Sequence, residues 1–142
     1  MTNPYIERLY NEWCEHERII IAVDFDDTLV PHKGIVPDYS GRVIKLLKEC
    51  QKAGCCLIIN TAAGTSRYPE MVAICHEKGI DVDGINFNPI PLPYGNNGKV
   101  YANIYLDDRA GLLEALDILE EALDLYLKYK KLKNGHQPSL FM

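Results

Sequence analysis

The fold is decided by the residues RIIIAV at positions 18–23, followed at 24–28 by DFDDT. A run this apolar and this rich in β-branched side chains, without polar alternation, is typical of a strand buried on both faces of a parallel sheet. The polar stretch places three carboxylates within four positions. A strand needs no such cluster in order to end. The segment therefore predicts a buried strand that leads into a functional edge of the sheet.

The rest of the chain alternates between helical and strand patterns. We expect a first helix from Asn3-Pro4, helices over 37–53 (ended by Gly54), within 66–78, and from 110 to about 133, and strands at 55–61, 80–87 (weaker) and 100–106. Prolines and turn-forming residues predict an irregular loop at 88–98. Together these predict one α/β domain over 1–142, a three-layer α/β/α doubly wound parallel sheet (Rossmann-like) of about four strands.

Composition limits the partners. The chain has 142 residues, 15 Lys+Arg and 20 Asp+Glu, a net charge of −5. This acidic balance makes a nucleic-acid partner unlikely, because phosphate backbones are bound mainly by clustered Lys and Arg. No apolar run reaches the length of a membrane span, so we expect no membrane partner and a cytoplasmic protein. The five cysteines contain no Cys-x-x-Cys pair and are interpreted as free, buried hydrophobes.

Acidic residues follow two of the predicted strands. Asp24, Asp26 and Asp27 come after the first strand, and Asp107-Asp108 after the last. Ligands of open α/β sheets bind outside the carboxyl ends of the strands, so five carboxylates are expected to converge there if these strands are neighbours. Such a cluster repels itself unless a cation joins it, and Mg²⁺ prefers oxygen ligands. In an extended segment Asp24 and Asp26 would point to the same side.

This pattern resembles the haloacid dehalogenase (HAD) superfamily of phosphohydrolases. The signature of that family is a strand ending in Asp-x-Asp-x-Thr, a second strand ending in Thr or Ser, a Lys before a later strand, and a strand ending in paired acids. The chain has these features in the same order between residues 19 and 108: Asp24, Asp26, Thr28, Thr61, Lys99, Asp107 and Asp108.

The resemblance implies a role for each of these residues. Asp24 would be the nucleophile that forms an aspartyl-phosphate, and Asp26 the general acid and base. Thr61 would bind the transferred phosphoryl group, and Lys99 would neutralise it. The Mg²⁺ cofactor would be held by Asp24, Asp26 (through its backbone carbonyl), Asp107 and Asp108. Three further residues, Thr28, Ala62 and Arg67, are predicted to contact the substrate.

Neither position at which larger members of this family carry a cap domain has room for one. Only a short flap separates Thr28 from the helix near Pro37, and 37 residues separate Thr61 from Lys99. The chain therefore resembles the small capless type. Its site is either open to a large substrate or closed by another subunit, and the 88–98 loop could overhang it. We expect a phosphorylated substrate, and the sequence leaves open whether it is a small molecule or a macromolecule.

Three other functions are weighed against a phosphatase. A catalytically silent phosphate- or metal-binding protein could keep the same residues. A phospho-acceptor receiver domain would need an Asp at the end of its middle strand, where this chain has Asn60-Thr61. A metal-dependent nuclease could use the same acids on diesters. Separately, a second apolar stripe on the last helix indicates either a homo-oligomer contact or packing on Trp13.

Overall fold

The fold is a four-stranded, all-parallel sheet with helices packed against it. It is seen in a computed structural model that describes residues 3–90, 92 and 98–140, with side chains described to residue 134. The strands are β1 (Ile20–Val23), β2 (Cys56–Ile59), β3 (Gly84–Ile85) and β4 (Ile104–Leu106), in the order β3-β2-β1-β4. The helices are α1 (Pro4–His16), α2 (Ser40–Lys52), α3 (Tyr68–Glu77) and α4 (Leu112–Leu140), with a 3₁₀ turn at Thr65–Arg67.

The predicted fold class is confirmed: the chain is an α/β protein with a sheet consistent with a Rossmann-like α/β/α arrangement. β1 is central, and Ile21 is in register with Leu57 of β2 and Ile104 of β4. All four residues of β1 and of β2 are buried. Side-chain burial on both faces explains why the sequence of these strands shows no polar alternation.

The two faces of the sheet are covered differently. Ile19, Ile21 and Val23 belong to the main core, together with the buried residues of all four helices. Ile20 and Ala22 point to the opposite face, where a smaller apolar cluster includes Val100 and Ala102. Among the described residues, the apolar cluster on that second face includes residues of the connection from β3 to β4. This connection also carries Lys99.

Two predicted strands are shorter than expected because side chains satisfy backbone groups that a ladder would otherwise use. The strand predicted at 100–106 begins only at Ile104: Asn103 Oδ1 accepts from the N–H of Ile20 at 2.7 Å, and the Tyr105 hydroxyl donates to the carbonyl of Val100 at 2.6 Å. The strand predicted at 80–87 is reduced to β3: Asp83 Oδ2 accepts from the N–H of Leu57 at 2.8 Å, and Asn86, directly after β3, has a φ of 58°.

Helix α4 packs along α1 through aromatic rings. Trp13 stacks on Tyr126 with ring centroids 5.0 Å apart, and Tyr10 meets the edge of Tyr129 at 6.5 Å. The packing of the last helix on Trp13 is therefore confirmed, while Leu125 of the same stripe remains 41% exposed. The helix continues to Leu140, beyond the predicted end.

Other predictions concern single segments. Gly54 has a φ of 88° and ends α2 as expected. The five cysteines are free, and four of them are buried.

In the loop predicted at 88–98, residues 91 and 93–97 lie outside the described residues, and the others form neither helix nor strand. The connection over 29–39 is a short flap, and 62–83 holds only the 3₁₀ turn and α3. No helix in the described parts of the chain has the length and apolar character needed to cross a membrane.

Candidate active site

Three carboxylates meet at the carboxyl ends of β1 and β4. Asp24 follows β1, and Asp107 and Asp108 follow β4, which is paired with β1. The N–H of Asp24 continues the ladder by donating to the carbonyl of Leu106 at 2.9 Å. One carboxylate oxygen from each residue lies within 4.8 Å of the other two. The predicted convergence of acids at this edge is thus found for these three residues.

The hydroxyl of Thr28 lies between Asp24, which follows β1, and Asp108, which follows β4. Its hydroxyl accepts from the N–H of Asp108 at 3.0 Å and lies 3.2 Å from Asp108 Oδ1 and 3.5 Å from Asp24 Oδ2. The side chain is fully buried, and in this structure its contacts orient the two carboxylates. The substrate contact expected of Thr28 stays a prediction.

Crowding of the three acids changes the ionisation of Asp24. Burial is the largest cause that raises the pKa of the Asp24 carboxyl, and a side-chain hydrogen bond with Asp108 and the charges of Asp107 and Asp108 also raise it; together they bring the pKa to about 7. The unusual pKa is the expected result of placing like charges together in a partly buried site. A cation bound among them would favour the ionised form.

The donor set fits a hard divalent cation. All three candidate ligands are carboxylate oxygens, which Mg²⁺ prefers and binds at about 2.1 Å, and Mg²⁺ commonly keeps several waters beside one or two carboxylates. Asp24, Asp107 and Asp108 are each partly exposed, so they can take a metal with its waters. Among the described residues, Asp26 is not part of this side-chain group.

Asp26 faces a different partner. The guanidinium of Arg67 donates to both of its carboxylate oxygens, at 3.0 and 3.1 Å, and His32 Nδ1 lies 3.9 Å from Oδ1. This contact with Arg67 lowers the pKa of the Asp26 carboxyl. Arg67, predicted as a substrate contact, is thus bound to a predicted catalytic residue.

Among the described residues, the side chains of Asp26 and Asp27 do not belong to this group of three carboxylates. The chain turns after Asp24, because the carbonyl of Phe25 accepts from the N–H groups of Thr28, Leu29 and Val30. The alternation rule for extended chain does not apply in such a turn. Asp27 has a φ of 64° and accepts from the backbone N–H groups of His32 and Lys33, so it holds the flap in place.

A cleft of about 500 Å³ opens beside the carboxylates on the second face of the sheet. Asp24, Asp107, Lys99 and Asn60 all line it. The predicted cation and the predicted nucleophile are therefore brought to one cleft. The Lys99 ammonium lies 5.7 Å from the centre of the Tyr105 ring, and in the described part of the chain it forms no ion pair.

Asn60 was not among the predicted site residues, although strand alternation could have identified it. It has the same parity as Cys56 and Ile58, which belong to the cluster on the second face. Asp24 has the same parity as Ile20 and Ala22 of β1, which also belong to that cluster. Side chains of this parity at the strand ends point toward the cleft.

Thr61 and Ala62 lie just beyond the cleft lining. The backbone of Thr61 exchanges two hydrogen bonds with the Asn86 side chain, and its hydroxyl accepts from the N–H of Ala63 at 3.1 Å. Ala62 is exposed. The phosphoryl-binding role of Thr61 and the substrate contact of Ala62 stay predictions.

Comparison with known proteins supports the fold and names no activity. A solved structure of a conserved protein from Bacteroides thetaiotaomicron is similar to this chain, with 26% sequence identity and a TM-score of 0.52. The match covers 65% of this chain and 77% of that one. Neither a protein-family model nor a curated protein sequence matches this chain. Function is therefore argued from the site.

Proposed function

We propose that this protein is a Mg²⁺-dependent phosphomonoesterase of the HAD type that works through an aspartyl-phosphate on Asp24. One observation carries the proposal: Asp24, Asp107 and Asp108 cluster within 4.8 Å at the mouth of a cleft that Lys99 also lines. The cluster supplies a nucleophile and ligands for a cation, and Lys99 supplies positive charge for a phosphate. The ordered motifs that resemble the HAD superfamily support the same function.

In the first step, an oxygen of the Asp24 carboxylate attacks phosphorus and the bond from phosphorus to the leaving oxygen breaks. Lys99 stabilises the negative charge on the transferring phosphoryl group, as a positioned cation does in phosphoryl transfer. Bound Mg²⁺ would neutralise charge on the phosphate and on the carboxylates. The leaving oxygen takes a proton from the carboxyl group of Asp26.

In the second step, water attacks the phosphorus of the aspartyl-phosphate, and Asp26 accepts a proton from that water. The products are inorganic phosphate and the regenerated Asp24 carboxylate. Asp26 can donate a proton only after it is protonated, whereas Arg67 favours its ionised form. The catalytic cycle therefore requires that Asp26 leave Arg67 before the leaving group departs.

The test is hydrolysis of p-nitrophenyl phosphate with and without Mg²⁺, followed by capture of the intermediate. We expect Mg²⁺-dependent activity that Asp24→Asn abolishes and Lys99→Met lowers by about 100-fold or more, the usual effect of losing a charge-stabilising group. Asp124→Asn, an exposed acid on α4, is the matched control and should retain full activity. Wild-type activity in Asp24→Asn would refute the mechanism.

A second candidate function is a catalytically silent protein that binds phosphate and metal. The observation in its favour is the bidentate contact of Arg67 with Asp26, which holds the required acid in its unprotonated form. Calorimetric titration with Mg²⁺ and inorganic phosphate separates the two functions. Binding of both, without turnover of any monoester in a broad panel, would favour the silent protein.

A further inference from the structure

A second and larger groove adjoins the candidate active site. It has a volume of about 890 Å³ and runs along the outer edge of β4, between the first turns of α1 and the start of α4. Lys99, Tyr105 and Ala110 line both this groove and the catalytic cleft. The two spaces therefore adjoin at the residue that we propose to bind phosphate.

The walls of the groove are aromatic and aliphatic. Tyr5, Tyr101 and Tyr105 contribute rings, and apolar surface comes from other residues, including Leu9 and Ile118. Tyr105 is fixed, because its hydroxyl donates to the carbonyl of Val100 and accepts from the N–H of Ala102 at 3.1 Å. A fixed ring beside a phosphate-binding lysine presents a flat surface on which another ring can pack.

The polar groups of the groove are mostly occupied or balanced. Asn103 binds the N–H of Ile20 through its oxygen and donates to Glu12 at 2.9 Å through its nitrogen. The charged side chains are two cations, Arg8 and Lys99, and two acids, Glu12 and Glu114. A groove with this lining favours an uncharged, largely apolar group.

We propose that the groove binds the leaving group of the phosphate ester, and that this leaving group is a flat aromatic ring system. The inference rests on the proposed phosphatase function, since it assigns the substrate class of the same site. With the phosphoryl group at Asp24 and Lys99, the rest of the ester passes over Tyr105 into the groove. The capless fold thus obtains substrate contacts from α1 and α4.

The alternative occupant is a second copy of this chain pairing with the open edge of the sheet. β4 has only three residues, Ile104–Leu106, and strands this short are one of the ways in which natural sheets avoid pairing at an edge. An aromatic ligand fits the short strand and the fixed rings better than a fifth strand does.

The experiment compares 2-naphthyl phosphate with phenyl phosphate, whose leaving groups have similar acidity but differ by one ring. We expect kcat/KM to be about tenfold higher for the naphthyl ester, because the second ring buries more apolar surface. Ala115→Trp fills the groove from α4, and Tyr5→Ala removes one of its rings. Each should lower the ratio of the two kcat/KM values toward one, whereas Leu125→Trp, on an exposed part of α4 outside the groove, should not change it.

A binding measurement separates failure of the groove from failure of the phosphatase. Fluorescence titration with 2-naphthol, which contains no phosphate, should show saturable binding to wild type and to Asp24→Asn, weakened by Ala115→Trp or Tyr5→Ala. If no ester is hydrolysed but 2-naphthol binds in this pattern, the proposed phosphatase function is wrong and the proposed binding of aromatic rings in the groove is supported. If both groove variants keep the wild-type ratio of the two kcat/KM values and the wild-type affinity for 2-naphthol, the proposal that the groove binds an aromatic leaving group is wrong. It is also wrong if 2-naphthol does not bind and the protein is a dimer that Ala115→Trp dissociates.

Discussion

Arg67 binds both carboxylate oxygens of Asp26, at 3.0 and 3.1 Å, although 41 residues separate the two in sequence. The guanidinium also lies 5.9 Å from the centre of the ring of Phe25, the buried residue between Asp24 and Asp26. One arginine therefore contacts two consecutive residues of the turn that follows β1. Among the described residues, Asp26 pairs with this guanidinium and is not part of the cluster formed by Asp24, Asp107 and Asp108.

Replacing Arg67 should weaken the fold more at neutral pH than in acid. The pKa of Asp26 is lowered in the folded state, so its contribution is present above the unfolded pKa and is lost as pH falls through the folded pKa. Because both side chains are partly exposed, we expect Arg67→Ala to lower the midpoint of urea denaturation only modestly at pH 7, and less near pH 3. Urea denaturation at both pH values checks this, with Arg18→Ala, an exposed arginine, as control. An equal loss at both pH values would contradict the ionic origin.

Asp24 should make the metal-free protein less stable as pH rises. Its pKa is raised to about 7 from the ordinary aspartate value of 3.8, so the folded state binds the proton more tightly than the unfolded state. The stability that this provides is complete below the unfolded pKa and is lost as pH rises through 7. We expect the Tm in EDTA to fall between pH 5 and pH 8, and Asp24→Asn to raise the Tm at pH 8 by roughly 3–6 °C.

Mg²⁺ should reverse the same effect. Addition of Mg²⁺ at pH 8 should raise the Tm of wild type, because the ion binds the folded carboxylates, and should raise that of Asp24→Asn less. Asp124→Asn should follow wild type under every condition. A Tm of wild type that is independent of both pH and Mg²⁺ would contradict the coupling of these three carboxylates.

Removal of the Thr28 hydroxyl should cost both stability and metal affinity. In Thr28→Val the shape is kept, but the N–H of Asp108 loses its acceptor in a buried position, which costs about 1–3 kcal/mol. Asp24 and Asp108 lose their shared contact as well, so we expect weaker Mg²⁺ binding in calorimetric titration. Thr65→Val, at an exposed threonine, is the matched control. Unchanged Mg²⁺ affinity in a folded Thr28→Val protein would remove Thr28 from the site.

Substitutions of Asn60 and of Thr61 should change the affinity for inorganic phosphate by different amounts. Asn60 lines the cleft with Asp24 and Lys99, whereas the Thr61 hydroxyl accepts from the N–H of Ala63. If the structure describes the phosphate-bound site, Asn60→Ala should raise the inhibition constant of inorganic phosphate about tenfold, the cost of a lost hydrogen bond to a charged group. Thr61→Val should raise it less. The opposite order would show that the Thr61 hydroxyl turns into the cleft, as the family resemblance implies.

The parts of the site that sequence could predict depend on strand ends. Asp24 follows an unbroken apolar strand, and Asp107 and Asp108 follow another, so a parallel sheet brings them together wherever the two strands are neighbours. The structure has that strand order. The fold class was predictable for the same reason, since buried strands alternate with helices from α1 to β3.

The parts that sequence did not predict depend on turns and on distant side chains. The chain turns at Phe25, directly before Asp26, and no strand rule applies to residues in a turn. The partner of Asp26 comes from the 3₁₀ turn Thr65–Arg67, whose position depends on how α3 docks. Strand lengths were overestimated because side chains such as Asn103 take over hydrogen bonds that the pattern assigns to a ladder.

The bridge from Thr28 to Asp108 spans 80 residues of sequence, and it makes the carboxylate cluster depend on β4. Asp24 and Thr28 are synthesised early, whereas Asp107 and Asp108 are made only after β4. A fragment that ends before Ile104 would retain Asp24 and could not assemble the three carboxylates. Metal binding at this cluster therefore reports that the last strand has docked against the first.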